Sequence, residues 1–156
     1  MIFVTIGTQL PFDRLIRILD EMAPQLDEEI IAQVHHCGFQ PRNIKTFSFI
    51  PPDEHKKIFN QARLIVAHAG MGTILSAMQQ SKPIIVFPRK ASLNEHRNEH
   101  QMATAFKLKE QNSVYVALTE QDLKKLLMRK DLHCLRTISD KASESLIKSI
   151  EEFIDA

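Results

Sequence analysis

Two kinds of segment alternate along the chain, and this alternation limits its fold more than any other feature. Residues 2–6, 30–34, 46–50, 64–67, 84–87 and 114–117 are short, β-branched and apolar. Each predicts a strand, and the most apolar of them match strands buried on both faces. Between them, apolar residues recur at three- and four-residue intervals. Phe12, Leu15, Ile16, Leu19 and Met22 form one such stripe, and Ile74, Leu75 and Met78 a shorter one. Met102, Ala105, Phe106 and Leu108 form a third, and Leu123, Leu126 and Leu127 a fourth. These are helical faces. Strand–helix alternation predicts an α/β fold: one doubly wound, Rossmann-like domain over 1–156, with a mostly parallel sheet of about six strands and helices on both faces. Residues 38–45 carry no helical period and predict a loop in place of a crossover helix.

Composition narrows the function. A chain of 156 residues has the size of one ordinary domain, and 44% hydrophobic residues can fill its core. Twenty basic against nineteen acidic residues, no Trp and few aromatics give no electrostatic or stacking case for a nucleic-acid partner. Cys37 and Cys134 are unpatterned and fit reduced cytosolic thiols. The apolar start MIFVTIGTQ is too short for a signal peptide and lacks a basic flank. No run approaches the ~20 apolar residues of a membrane span. The expected location is the cytoplasm.

In parallel sheets of this kind, ligands bind beyond the carboxyl ends of the strands. Three strand-to-helix loops are therefore the candidates. The first is Gly7-Thr8-Gln9-Leu10-Pro11, with Pro11 suited to an early helix position. The second is His68-Ala69-Gly70-Met71-Gly72, before a helix expected over 73–80. Glycine takes positive φ and permits close approach to the backbone, and a helix start offers unpaired N–H groups to an anion. The glycines are equally consistent with a tight turn that needs them for geometry alone. Leu75 stands where the dinucleotide fingerprint needs a third glycine, and no Gly-Lys-Ser/Thr follows for a Walker loop. The third loop runs from Pro88-Arg89 to Asn98-Glu99-His100-Gln101 and is dense in hydrogen-bonding groups. A charged, solvated helix start is the plain alternative. His96 and His100 lie four apart and His35 and His36 are adjacent, but no Cys or HExxH pattern supports zinc. No metal and no cofactor are expected.

In this order, Gly7-Thr8-Gln9-x-Pro11-Phe12-Asp13, His68-Ala69-Gly70-Met71-Gly72-Thr73, Lys82-Pro83, Pro88-Arg89 and Glu95-His96-Arg97-Asn98-Glu99-His100-Gln101 resemble a known family. They look like the C-terminal, nucleotide-sugar-binding half of a GT-B glycosyltransferase, the family 28 C-terminal domain. The match is best to the small subunits of bacterial exopolysaccharide glycosyltransferases. These are similar to the soluble subunit of the eukaryotic enzyme that extends dolichol-linked N-acetylglucosamine. The resemblance spans about residues 1–118.

The resemblance implies that Gly7, Thr8 and Gln9, with His68, Gly70, Met71, Gly72 and Thr73, hold the diphosphate of a UDP-sugar donor. It implies that Pro88 and Arg89 lie by the uracil. Asn98, Glu99, His100 and Gln101 would reach the sugar, with Gln101 foremost. Ser76 stands where many such enzymes carry a glutamate that binds ribose. His68 is the one candidate for direct catalysis, and it equally fits a turn-shaping role. A GT-B enzyme has two domains, so the acceptor half is expected on a membrane-anchored partner that binds a lipid-linked sugar. The protein would then sit at the inner face of the membrane through that partner. A nucleotide-binding regulator and a stand-alone nucleotide-sugar enzyme are the other function classes. Finally, Ile138, Ala142, Leu146, Ile150, Phe153 and Ile154 recur near helical spacing, with Ser139 as an N-cap. They predict a terminal helix over 137–156, which either packs on its own sheet or docks on the partner.

Overall fold

The computed structural model describes residues 1–139. Its elements are β1 (Ile2–Thr5), α1 (Asp13–Leu26), β2 (Ile30–Gln33), β3 (Lys45–Phe47), α2 (Pro52–Gln61), β4 (Leu64–Ala67), α3 (Met71–Gln79), β5 (Ile84–Val86), α4 (His100–Glu110), β6 (Tyr115–Val116) and α5 (Glu120–Leu127). A short 3-10 turn, Ala91–Leu93, interrupts the loop between β5 and α4. The six strands form one sheet in the order β3-β2-β1-β4-β5-β6, and every pairing is parallel. This is the doubly wound arrangement that the alternation predicts.

Alternation within the strands builds a core on each side. Ile2, Val4, Leu64, Val66 and Ile85 point to one face, where Leu15, Ile16 and Leu19 of α1 and Leu123 and Leu127 of α5 cover them. Phe3, Ile65, Ala67, Ile84 and Val86 point to the other, under Phe59 of α2, Ile74 and Met78 of α3 and Leu108 of α4. The central strands β1, β4 and β5 are buried throughout, as strands covered on both sides must be.

The structure departs from the sequence expectation in a few places. Helix α2 is not foreseen by a long apolar stripe, because it buries only Phe59 fully. Its start signals are local: Pro52 in the first turn, followed by Asp53 and Glu54. β3 covers Lys45–Phe47 and not 46–50, because the chain turns toward Pro51 and the helix that follows. Pro11 lies outside α1, which starts at Asp13 after Phe12 as N-cap. The predicted terminal helix lies, from residue 140 on, outside the described residues. Before that point Ile138 packs against the core under α3, and its N–H donates to the Met78 carbonyl at 3.4 Å.

At the amino edge of the sheet, away from the strand-to-helix loops, Glu28 gathers three cations. It accepts from the N-terminal ammonium at 3.1 Å, from Arg63 Nε at 3.1 Å and from Lys130 at 3.3 Å. Burial alone would raise its pKa, but Arg63 and the N-terminal ammonium outweigh that and hold it at about 2. The amino edge is thus tied down, while the carboxyl edge keeps its polar groups open.

Candidate functional site

β1 and β4 are adjacent, yet the chain leaves them for opposite faces, to α1 and to α3. That divergence opens a crevice between their loops, the place where open α/β sheets take their ligands. His68 follows β4 directly, and its imidazole fills the space between the two loops. A Cβ on Gly7 would stand 3.0 Å from His68 Cε1, and one on Gly70 would stand 2.3 Å from His68 Nε2. Gly7 also has φ +75°, a left-handed conformation that glycine adopts without strain. One histidine therefore explains two of the four glycines. Gly72 differs: a Cβ there meets nothing within 4 Å.

Of the five described α-helices, α5 alone has a side-chain cap at its start, and α2 and α4 are uncapped like α1 and α3. α5 has a closed capping box, with Asp122 N–H donating to Thr119 Oγ1 at 3.1 Å and Thr119 N–H donating to Asp122 Oδ2 at 3.0 Å. α3 begins after Gly70 and α1 after Phe12, and neither N-cap uses its side chain. The N–H groups of Gly7, Thr8 and Gln9, and those of Met71, Gly72 and Thr73, have no protein acceptor among the described residues. Two sets of unclaimed amides thus lie on the loops that leave β1 and β4, one of them on the positive end of a helix dipole.

Gly7, Thr8, Gln9, His68, Arg89 and Gln101 are brought together, with Ile6, Leu10 and His96, around a cavity of about 290 Å³. The pKa of His68 is depressed to about 4. Burial is the main cause, the Arg89 guanidinium and His96 add to it, and the Thr5 carbonyl opposes it. Its Nδ1 is buried and makes no hydrogen bond of good geometry. The imidazole is neutral at physiological pH and is a weak proton acceptor.

Arg89 is only 2% exposed. Its guanidinium donates to the carbonyls of Ile6 (2.7 Å), Leu10 (2.6 Å), Pro11 (2.5 Å) and Glu95 (3.3 Å). Its backbone N–H donates to Gln101 Oε1 at 3.0 Å. Gln101 is buried in the first turn of α4, and this bond leaves its NH2 group as the end available to the cavity. Pro88 is buried, and its carbonyl accepts from Arg14 at 3.1 Å. Arg14 also grips Glu95 through two bonds of 2.7 and 2.8 Å, and Glu95 accepts from Lys90 N–H at 2.9 Å. The third loop is thereby bound to the first and to α1.

Gly72 and Thr73 lie apart from this cavity. They line a separate depression of about 190 Å³ with Ser76, Gln80 and three residues of α2: His55, Lys56 and Phe59. Ser76 donates its hydroxyl proton to the Gly72 carbonyl at 2.9 Å, so its oxygen can accept. Met71 is exposed, and Gly70 faces His68. Asn98 lines an open depression beside the main cavity with Gln9, Leu10, His96 and Arg97, and its Oδ1 accepts from His100 N–H. Glu99 accepts from Ser92 N–H, and His100 opens α4 at the surface. Among the described residues, no group of three or more His, Cys, Asp or Glu side chains is placed to hold a metal ion. No described helix is long and apolar enough to cross a membrane.

Leu10 and His96 lie within the candidate loops without being singled out as site residues, and His55 and Lys56 of α2 were not foreseen as lining residues. For His55 and Lys56 the signal was present, because Pro51-Pro52-Asp53-Glu54 is a helix start and places both on the first turns of α2. The role of Arg89 as a donor to loop carbonyls had no signal, because carbonyl partners leave no mark in sequence.

Comparison with known proteins agrees with this fold. The model of the glycosyltransferase family 28 C-terminal domain matches residues 1–155. The UDP-N-acetylglucosamine transferase subunit ALG13 of Mus musculus is 31% identical over 108 residues, 62% of this chain and 9% of that protein. The subunit of the same name from Eremothecium gossypii is 44% identical over 95 residues, 60% of this chain and 46% of that protein. The chain spans less than half the length of these relatives. In fold, it resembles the crystal structure of Acinetobacter baumannii MurG with a TM-score of 0.67 at 20% identity, covering 97% of this chain and 49% of that one. It resembles the solution structure of ALG13 with a TM-score of 0.59 at 20% identity, covering 99% and 96%.

Proposed function

Because the chain belongs to the glycosyltransferase family 28 C-terminal domain family, we propose that it is the donor-binding subunit of a two-component glycosyltransferase. The single observation that carries this reading is the pair of unclaimed amide sets on the two loops that leave β1 and β4 at the switch point. A nucleoside diphosphate is the chemistry such a crevice fits: two phosphates for the amides and a nucleoside for an adjoining depression. The depression of Gly72, Thr73, Ser76, His55 and Lys56 can take the ribose, with Ser76 Oγ as an acceptor in place of a glutamate. Gln101, with its NH2 group available to the main cavity, suits a sugar hydroxyl there. The relatives named above make UDP-N-acetylglucosamine the first donor to test.

In the transfer, the acceptor oxygen bonds to the anomeric carbon as the bond from that carbon to the β-phosphate oxygen breaks. The electron pair leaves with UDP, and the acceptor proton goes to a base. Preorganised N–H groups stabilise the departing diphosphate without a metal ion. His68, with a pKa of about 4, is poorly matched to the base role near neutrality. We assign the base and the acceptor site to a membrane-anchored partner, which would hold this chain at the cytoplasmic face. The acceptor is a polyprenyl-diphosphate-linked sugar, in exopolysaccharide or related glycan synthesis.

The test is reconstitution. The chain alone should bind UDP and leave a UDP-sugar intact, and the pair with its partner should transfer sugar to a lipid-linked acceptor in the presence of EDTA. Transfer by the chain alone, or a pair as active without this chain, would refute the proposal.

A further inference from the structure

We propose that Arg89 is a positioning residue of the donor cavity, which fixes the Gly7-Thr8-Gln9 turn and the Gln101 side-chain amide together. Arg89 does so while keeping almost no hydrogen-bonding capacity for the ligand itself. This inference rests on the donor-site reading for its function and on the structure alone for its geometry.

A guanidinium has five N–H groups. Four of those on Arg89 reach backbone carbonyls, and three of these carbonyls, of Ile6, Leu10 and Pro11, bracket the first loop. A loop whose carbonyls are turned to an internal cation leaves its amides without internal partners. The N–H groups of Gly7, Thr8 and Gln9 are in that state. The same residue acts in a second direction. Its backbone N–H donates to Gln101 Oε1, so the Gln101 side chain has its two NH2 donors left for the cavity. Such a side chain selects acceptor oxygens, of a hydroxyl or a phosphate. The guanidinium is held from behind, 4.6 Å from the centroid of the Phe12 ring, which itself stacks on Phe87. Arg14 lies over the same two rings and ties Glu95. The carboxylate nearest in the network is therefore shared with Arg14, and the charge of Arg89 still acts through space on the cavity. Burial is the main cause of the depressed His68 pKa, and that charge adds to it.

Lysine keeps the charge and loses the fork: three donors on one nitrogen cannot hold four carbonyls spread over two loops. The experiment compares Arg89→Lys and Arg89→Gln with wild type in the full chain. It reads UDP affinity by titration, backbone amide resonances of residues 6–11, the Gln101 side-chain NH2 resonances and circular dichroism. The expected result is a folded Arg89→Lys protein. Its residues 6–11 and Gln101 NH2 resonances shift or broaden without ligand, and its UDP affinity falls on the order of tenfold to a hundredfold, the scale of a misplaced constellation. His68 should also titrate at higher pH in Arg89→Gln than in wild type. Wild-type affinity in Arg89→Lys would overturn the proposal. So would weakened binding with undisturbed ligand-free resonances, which would make Arg89 a direct ligand contact, or loss of fold in both variants, which would make it a general stability residue. If wild type itself fails to bind UDP, the donor reading falls. The ligand-free resonances of the variants then decide the positioning proposal by themselves.

Discussion

Adding one methyl group at position 70 or at position 72 should have opposite consequences. A Cβ at Gly70 would lie 2.3 Å from His68 Nε2 and 2.7 Å from Cε1. Ordinary contact begins near 3.4 Å, so the ring must retreat by about 1 Å. Gly70 has φ −93°, which any residue adopts, so the penalty is steric and not conformational. Overpacking of this kind costs roughly 1–3 kcal/mol and lowers Tm by roughly 2–10 °C in a chain of this size. At Gly72 a Cβ meets nothing within 4 Å, and alanine is the better helix former. Gly72→Ala should therefore melt at or slightly above the wild-type temperature. Thermal unfolding followed by circular dichroism at pH 7.5 measures both. His68→Ala combined with Gly70→Ala should recover part of the Gly70→Ala loss, a coupling that a double-mutant cycle isolates. Equal stability of Gly70→Ala and wild type, with an unmoved His68 ring resonance, would refute the wedge.

Three further outcomes are expected. His68 has a folded pKa of about 4, below the 6.5 of a free histidine, so its neutral form stabilises the fold fully above pH 6.5 and progressively less as pH falls toward 4. Urea unfolding should show roughly 2 kcal/mol lost to this group between pH 7 and pH 5, a loss missing from His68→Gln, and a ring titrating near pH 6.5 would contradict this. Gln101→Ala should weaken a UDP-sugar far more than UDP, by roughly 1–3 kcal/mol, and equal losses for both ligands would make Gln101 purely structural. Deletion from residue 140 onward should leave a folded, UDP-binding chain that no longer co-purifies with the membrane-anchored partner, and retained co-purification would place the interface on the described domain.

The fold was legible because its strands are. β1, β4 and β5 are buried on both faces, so their residues are apolar but for Thr5, and the helices between them show stripes wherever they cover the core widely. α2 escaped because it covers the sheet edge with Phe59 and little else, leaving a polar helix without a stripe. The site was legible as three loops, since parallel topology places strand-to-helix loops at one edge whatever they bind. Its division was not. Gly70 and Gly72 are two residues apart in sequence, yet one accommodates an imidazole and the other borders a separate depression. That distinction depends on where His68 points, and neither spacing nor residue type encodes a side-chain direction across a turn. Arg89 illustrates the same limit: the resemblance implies a place by the uracil, while three of its four carbonyl partners are 78 to 83 positions away in sequence.

The proposed place of a nucleoside diphosphate, between the first loop and the start of α3, is tested most directly by a UDP titration of the isotopically labelled chain followed through backbone amide resonances. Saturable shifts should be largest at Gly7, Thr8, Gln9, Met71, Gly72 and Thr73, with smaller ones at Lys56 and Ser76. Shifts centred elsewhere, for example on the surface around Thr119 and Lys124, or no saturation at millimolar UDP with a folded chain, would contradict it.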